Sequence, residues 1–239
     1  MALPVKDTQD LIPGGSGTRA FKRKHYFCRT DHIITVHPFT ITNVNCTPAI
    51  TNVGGRPCVS FAGAGAATDG SNFCDAVAGF MLVAGKQTRI TFGVRSADGT
   101  AHEWNVGLST VTTTSQANIS GGTPAANYAL LYKTDAQTTV KFGSRKGSGT
   151  AEVATTTLTY ESAKWYDFEI IITPHATIAG QGQIDVFVRT DGGPPIRILD
   201  TQQGSLPDTV VTALVFGFLE GDTGTDATVV SEVTIEQEK

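Results

Sequence analysis

After about residue 30, apolar and polar positions alternate with a period of two through most of the chain. Two runs show it best. One is Lys164-Trp165-Tyr166-Asp167-Phe168-Glu169-Ile170-Ile171-Ile172-Thr173, and the other is Ile184-Asp185-Val186-Phe187-Val188-Arg189-Thr190-Asp191-Gly192-Gly193. Successive side chains of a strand point to opposite faces, so each run offers one face to a core. A Gly-rich connection lies between them. A further short strand, Pro195-Ile196-Arg197-Ile198-Leu199, follows a turn.

The same pattern predicts strands elsewhere. Ile33–His37 and Phe39–Thr42 straddle Pro38, which places them at an edge or a bend. Pro57–Phe61 is a short strand, and Thr88–Arg95 ends at the turn signal Ala97-Asp98-Gly99, with Glu103–Leu108 as its hairpin partner. Tyr128–Lys133 and Thr138–Gly143 form a hairpin around Thr134-Asp135-Ala136. Val153–Tyr160, Val210–Phe218 and Thr228–Ile235 add strands, the last two flanking the loop Glu220–Asp226. Cys74–Val83 fits a short helix or a strand equally well. Residues 109–125, rich in Thr, Ser and Gly, form a surface excursion. About a dozen short strands at close spacing are the mark of a sandwich or jelly roll. The fold class expected is therefore all-β, an antiparallel jelly-roll sandwich over residues 31–239, preceded by an extended N-terminal arm over residues 1–30.

Composition agrees: of 239 residues, 40% are hydrophobic and 17% charged, with 26 glycines. Charge is uneven. Residues 1–29 carry six Lys or Arg against Asp7 and Asp10, a net +4, so the remainder carries −8 of the overall −4. A basic arm on an acidic body is suited to an acidic surface, although such a run is as often simply solvated. Within the arm, Ile12-Pro13-Gly14-Gly15-Ser16-Gly17 is a flexible break. Phe21, Lys22, Arg23, Lys24, Tyr26 and Phe27 then interleave bases with aromatics and are the candidate partner-binding residues. An acidic body repels a long nucleic acid, so a protein partner is the expectation. The first residues lack a basic start followed by an apolar run, so no export signal is expected. No apolar stretch approaches the ~20 residues that span a bilayer. Cys28, Cys46, Cys58 and Cys74 are then expected as reduced thiols.

Motifs for catalysis are missing or incomplete. Gly14-Gly15-Ser16-Gly17-Thr18 lacks the last Gly of a nucleophile elbow. Gly79–Gln87 is a phosphate loop one residue too long, with Gln87 where Ser or Thr should hold magnesium. Gly63-Ala64-Gly65-Ala66-Ala67-Thr68 lacks the third Gly of a dinucleotide turn. Cys28, His32 and His37 match no zinc spacing, and an odd separation sends the two histidines to opposite faces of a strand. Glu220, Asp222 and Asp226 do not have calcium-loop spacing. No cofactor or metal is expected. Trp104 is a possible glycan-stacking ring or a core residue; Trp165 reads as core.

The order of a Trp-led strand, a loop, a strand ending at Asp191-Gly192 and a short strand resembles concanavalin-like (laminin-G-like) jelly rolls. The closest resemblance is to those in structural proteins of tailed-phage virions. It covers roughly residues 80–236 and rests on Trp165, Phe168, Ile170, Ile172, Ile184, Val186, Phe187, Val188, Asp191, Gly192, Val229, Val233 and Ile235. Related β-glucanases carry Glu-x-Asp-x-x-Glu on one strand; this chain has no such spacing, and Glu152, Glu161 and Glu169 stand apart. The resemblance implies a non-enzymatic decoration or cement protein of a bacteriophage capsid, made in the host cytoplasm and located on the virion. Its implied partners are the major capsid protein or another virion protein, and further copies of itself on the particle, with no membrane. The alternative is a lectin-like carbohydrate-binding module or a receptor-binding fibre tip.

Overall fold

A computed structural model describes residues 21–26, 39–66, 69–75, 79–110, 126–219 and 227–238. Among them are sixteen strands and no helix: β1 (Phe21–Tyr26), β2 (Phe39–Val44), β3 (Ala49–Val53), β4 (Arg56–Ala62), β5 (Gly70–Asp75), β6 (Phe80–Met81), β7 (Thr88–Ser96), β8 (Glu103–Ser109), β9 (Tyr128–Lys133), β10 (Thr139–Arg145), β11 (Glu152–Thr159), β12 (Tyr166–Pro174), β13 (Gly182–Thr190), β14 (Ile196–Gln203), β15 (Val211–Leu219) and β16 (Ala227–Glu238). Sheet A runs β14-β13-β12-β7-β16-β4-β3, with β1 also paired to β16. Sheet B runs β11-β10-β9-β8-β15-β5-β2, with β6 also paired to β15. Every pairing between these strands is antiparallel. The all-β, two-layer expectation holds.

The two best-patterned runs are neighbours. β12 and β13 pair from Tyr166↔Thr190 to Pro174↔Gly182, and along both the burial alternates residue by residue. Their inward side chains (Phe168, Ile170, Ile172, Ile184, Val186) are essentially solvent-free. They meet the inward face of sheet B through a seam of rings. Phe92 stacks on Phe168 with centroids 5.3 Å apart and meets Trp104 of sheet B edge-on at 6.1 Å. Tyr160 stacks on Tyr166 at 4.5 Å. Farther along, Phe61 of sheet A meets Phe73 of sheet B at 5.2 Å, and Phe73 stacks on Phe216 at 4.8 Å. Such ring pairs add attraction beyond the area they bury.

Polar groups inside the sandwich are joined to one another, as burial requires. The Ser96 amide donates to the Tyr160 hydroxyl at 3.0 Å, Ser96 Oγ shares a hydrogen with Thr228 Oγ1 at 2.8 Å, and His102 Nδ1 lies 3.0 Å from the same Thr228 oxygen. This thread ties β7, β16 and the segment entering β8. At the same end, Lys133 is buried, with Nζ donating to the carbonyls of Thr100 and His102 at 2.8 and 2.5 Å.

Three expectations change. The β7–β8 hairpin does not form: β7 lies between β12 and β16 in sheet A, whereas β8 pairs with β9 and β15 in sheet B. Asp98 causes the crossing, its Oδ1 accepting from the Thr100 amide, the Thr100 hydroxyl and the Ala101 amide, which turns the chain toward the other layer. β3 was not anticipated; it is the partner of β4 in a hairpin whose two-residue loop, Gly54-Gly55, has φ of 61° and 81°. Both loop positions need positive φ, which glycine adopts without strain. Cys74–Val83 resolves to strand on both sides, the end of β5 and then β6, with residues 76–78 outside the described set.

Truncating Phe168 to Ala empties the centre of the seam and is expected to cost about 3–5 kcal/mol in urea unfolding; a loss under 1 kcal/mol would mean that the seam does not hold the layers together. A second expectation concerns pH. Burial lowers the Lys133 ammonium to about 8, so between pH 8 and 10.5 the unfolded chain holds more protons than the folded one and stability rises with pH. Wild type should therefore gain about 1–2 kcal/mol over Lys133→Met between pH 8 and 10. Above pH 10 the trend reverses, because burial raises the Tyr132 hydroxyl to about 12 and raises Tyr160 further, so folded tyrosines keep protons that unfolded ones lose. A pH-independent difference between the two proteins below pH 10 would refute the burial effect on Lys133.

Candidate functional site

Alternation that buries one face of sheet A turns Arg89, Thr91, Gly93 and Arg95 of β7, and Asp167, Glu169 and Ile171 of β12, to the other face. At the middle of that outer face β16 carries a bulge. Its register with β7 jumps from Val230↔Val94 to Val233↔Phe92, so Ser231 and Glu232 together oppose Gly93. On the other side of β7, Gly93 faces Asp167. A Cβ at Gly93 would stand 2.1 Å from Ser231 Oγ and 2.9 Å from Asp167 Oδ1, so a glycine in mid-strand is what lets these two groups converge.

Arg56, the first residue of β4 after the Gly54-Gly55 turn, closes one side. Its guanidinium grips Asp167 with both nitrogens, Nη1 to Oδ1 at 2.5 Å and Nη2 to Oδ2 at 2.9 Å. It also lies 5.0 Å from the centroid of the Trp165 ring, a cation–π distance. The hydrogen bond it donates to Asp167 raises the Arg56 pKa above its ordinary value. Beneath the guanidinium, Trp165 packs with Cys58, Val229 and Val53 in a small apolar cluster of its own. The result is a hollow of about 420 Å³ lined by Arg56, Pro57, Thr91, Phe92, Gly93, Asp167, Phe168, Ser231 and Glu232.

Carboxylates elsewhere on this face are engaged by arginines. Arg89 Nε lies 2.6 Å from Glu169 and Arg89 Nη1 lies 3.9 Å from Glu236, bridging three strands. Asp185 and Asp200 stand directly opposite in the β13–β14 register, a like-charge pairing that would repel. Arg197 bridges both, 2.8 Å from Asp200, and Gln183 Nε2 donates to Asp200 at 2.7 Å. Arg197 is accordingly raised in pKa, first by its hydrogen bond with Asp185. Among the described residues no group of three or more His, Cys, Asp or Glu is placed to hold a metal ion.

The residues singled out from the sequence fall in different places. Phe21, Lys22, Arg23, Lys24 and Tyr26 lie in β1, paired in register with β16 so that Arg23 stands opposite Glu236. Their side chains lie outside the described set, as does all of Phe27. Cys28, His32, His37, the loop 111–125, and Glu220, Asp222 and Asp226 are likewise outside it. Trp104 is 1% exposed, wedged among Phe92, Tyr160 and Phe168, so it offers no ring face to a sugar. Its place in the seam is the core alternative. Trp165 is buried too, but on the outer side of sheet A rather than between the sheets. Cys46 and Cys58 are buried, and neither is in a disulfide. The hollow was not anticipated; a glycine interrupting the alternation of β7 was its one visible trace.

No protein-family model matches the sequence, and no curated protein matches it. Solved structures are similar in fold. A protein of unknown function from Shewanella oneidensis MR-1 is 12% identical, with TM-score 0.61 over 95% of this chain and 90% of that one. Arcelin-5, a lectin-like defense protein from Phaseolus vulgaris, is 9% identical, with TM-score 0.58 over 91% and 98%. A Lotus tetragonolobus seed lectin is 10% identical, with TM-score 0.58 over 91% and 99%. The architecture is thus the concanavalin-like lectin fold.

Replacing Arg56 by Met should uncover Trp165 and leave Asp167 without its guanidinium. Both partners are about one-third exposed, at 35% and 32%, so solvent screens the pair and the cost is small, about 1 kcal/mol. Acrylamide quenching of tryptophan emission should increase; unchanged quenching would show that the guanidinium does not shield the ring.

Proposed function

We propose that this chain is a non-enzymatic structural protein of a virion, a decoration or cement module on a bacteriophage head. The observation that carries the non-catalytic part is the pairing of five outer-face carboxylates of sheet A with arginines. Asp167 is held by Arg56, Glu169 and Glu236 by Arg89, and Asp185 and Asp200 by Arg197. Hydrolysis of a glycosidic bond needs two carboxyl groups facing one cleft, one as acid and one as nucleophile or base, whereas of the two that line the hollow, Asp167 and Glu232, Asp167 is gripped by Arg56. Cross-strand ion pairs instead brace neighbouring strands.

The virion assignment draws on the resemblance of the Trp165–Leu199 strand order to phage jelly rolls and on the charge asymmetry. Lys22, Arg23 and Lys24 belong to a strand at the side of sheet A, so the basic segment is held against the body. The partner would be a capsid protein presenting carboxylates, with further copies of this chain alongside. Many copies on a lattice turn modest contacts into a durable coat by avidity, and binding to the assembled shell alone stabilises that shell.

A charge-reversed variant, Lys22→Glu/Arg23→Glu/Lys24→Glu, tests this better than a truncation to residue 30, which would remove the β1–β16 pairing as well. The chain should be found in purified particles at fixed stoichiometry to the main shell protein, and the variant should bind emptied shells at least ~10-fold more weakly, as expected for loss of three charge contacts. Absence from particles, or equal binding by the variant, would overturn the proposal.

A second reading, a carbohydrate-binding module, is favoured by the shared fold with the Lotus seed lectin and by the hollow at Gly93, where Arg56, Asp167, Thr91 and Ser231 meet. Binding to immobilised glycans by the folded chain supports it, and silence across a broad panel counts against it.

A further inference from the structure

We infer that the hollow over Gly93 on the outer face of sheet A is a binding site for one ring of an uncharged sugar. This rests on the carbohydrate-binding reading and adds to it a place and a set of contacts.

The site is built rather than incidental. Three departures from regular sheet meet there: a glycine within β7, a two-residue bulge in β16, and a hairpin turn that delivers Arg56 across the face. The two strand irregularities remove a side chain and re-aim two others, so that Ser231 Oγ takes the space a side chain at Gly93 would fill, with Asp167 Oδ1 beside it. The volume, about 420 Å³, lies in the range of small-molecule sites and exceeds one hexose ring, leaving room for bridging water.

The charges select the ligand. The two-pronged contact offsets the charges of Arg56 and Asp167, so neither an anion nor a cation meets an unpaired opposite charge at that pair. What remains suits hydroxyl groups. An ionised carboxylate offers about four lone-pair positions, of which Arg56 occupies two, so Asp167 can still accept from a sugar hydroxyl. Ser231 and Thr91 each supply a hydroxyl that donates or accepts. Arg56 is kept rigid by the Trp165 ring below it, so little side-chain freedom is lost on binding.

The test titrates the folded protein with glucose, galactose, mannose, N-acetylglucosamine and their disaccharides, observed by isothermal calorimetry and by amide NMR shifts. At least one should bind with millimolar or tighter affinity and shift the amides of Gly93, Asp167 and Ser231. Ser231→Ala, which leaves the backbone untouched, should weaken it about 5–10-fold, the scale of one lost hydrogen bond. Gly93→Ala, whose methyl would displace Ser231 Oγ and crowd Asp167, should abolish binding. Asn105→Ala, on sheet B, should leave affinity unchanged. Binding that ignores both Ser231→Ala and Gly93→Ala refutes this site while leaving a carbohydrate-binding module intact; no binding by any sugar up to 20 mM refutes both.

Discussion

Two sheets that each bury one face must find a common filling, and here rings supply it. Phe92 and Phe168 project from sheet A onto Trp104 of sheet B, and Phe61 onto Phe73, Phe216 and Phe218. Large flat side chains fill a layer about 10 Å thick with few rotatable bonds, so they order at low entropic cost. Once this filling is set, the pleat leaves no freedom on the other side: a one-residue slip of β12 would send Asp167 and Glu169 into the rings. The outer face of sheet A is therefore polar because the inner face is aromatic.

That outer face must itself be stable. Cross-strand charges contribute little individually when exposed, and their value lies in specifying register. Asp185 opposite Asp200 would be a fault without Arg197 and Gln183 beside them; with those partners it marks the one alignment of β13 and β14 that satisfies all four side chains. Arg89 does the same across β16, β7 and β12. The bulge at Ser231 and Glu232 is the single break in β16 pairing with β7, and it coincides with Gly93. Sheet A carries a second irregularity, a register shift between Val186 and Phe187 in the β13–β14 pairing, away from the hollow.

A concanavalin-like sandwich is a scaffold that serves binding, bracing and catalysis alike, so the fold leaves function open. The two readings share a physical basis. Both require a rigid body, a surface chemistry that is satisfied without a partner, and affinity gathered from several modest contacts. A coat module that also holds a sugar would use β1 and the Gly93 hollow on the same sheet, since β1 pairs with β16, which carries the Ser231 bulge.

Much of the fold was legible in the chain itself. The alternation in 164–173 and 184–193 determined strand positions and inward faces, because one buried face per strand forces a period of two. The Thr134-Asp135-Ala136 turn determined the β9–β10 hairpin by local chain reversal. What the chain could not reveal alone was which sheet each strand joins. Thr88–Ser96 and Glu103–Ser109 look like a hairpin from nearby residues, and only the closure of two layers around common rings separates them. Trp104 and Trp165 have similar local surroundings, yet one lies between the sheets and the other beneath Arg56 on the outside. The hollow brings Arg56, Gly93, Asp167 and Ser231 together from four strands far apart in sequence, and no local pattern encodes that meeting. Local periodicity sets which way a side chain points; only the packed sandwich decides what it points at.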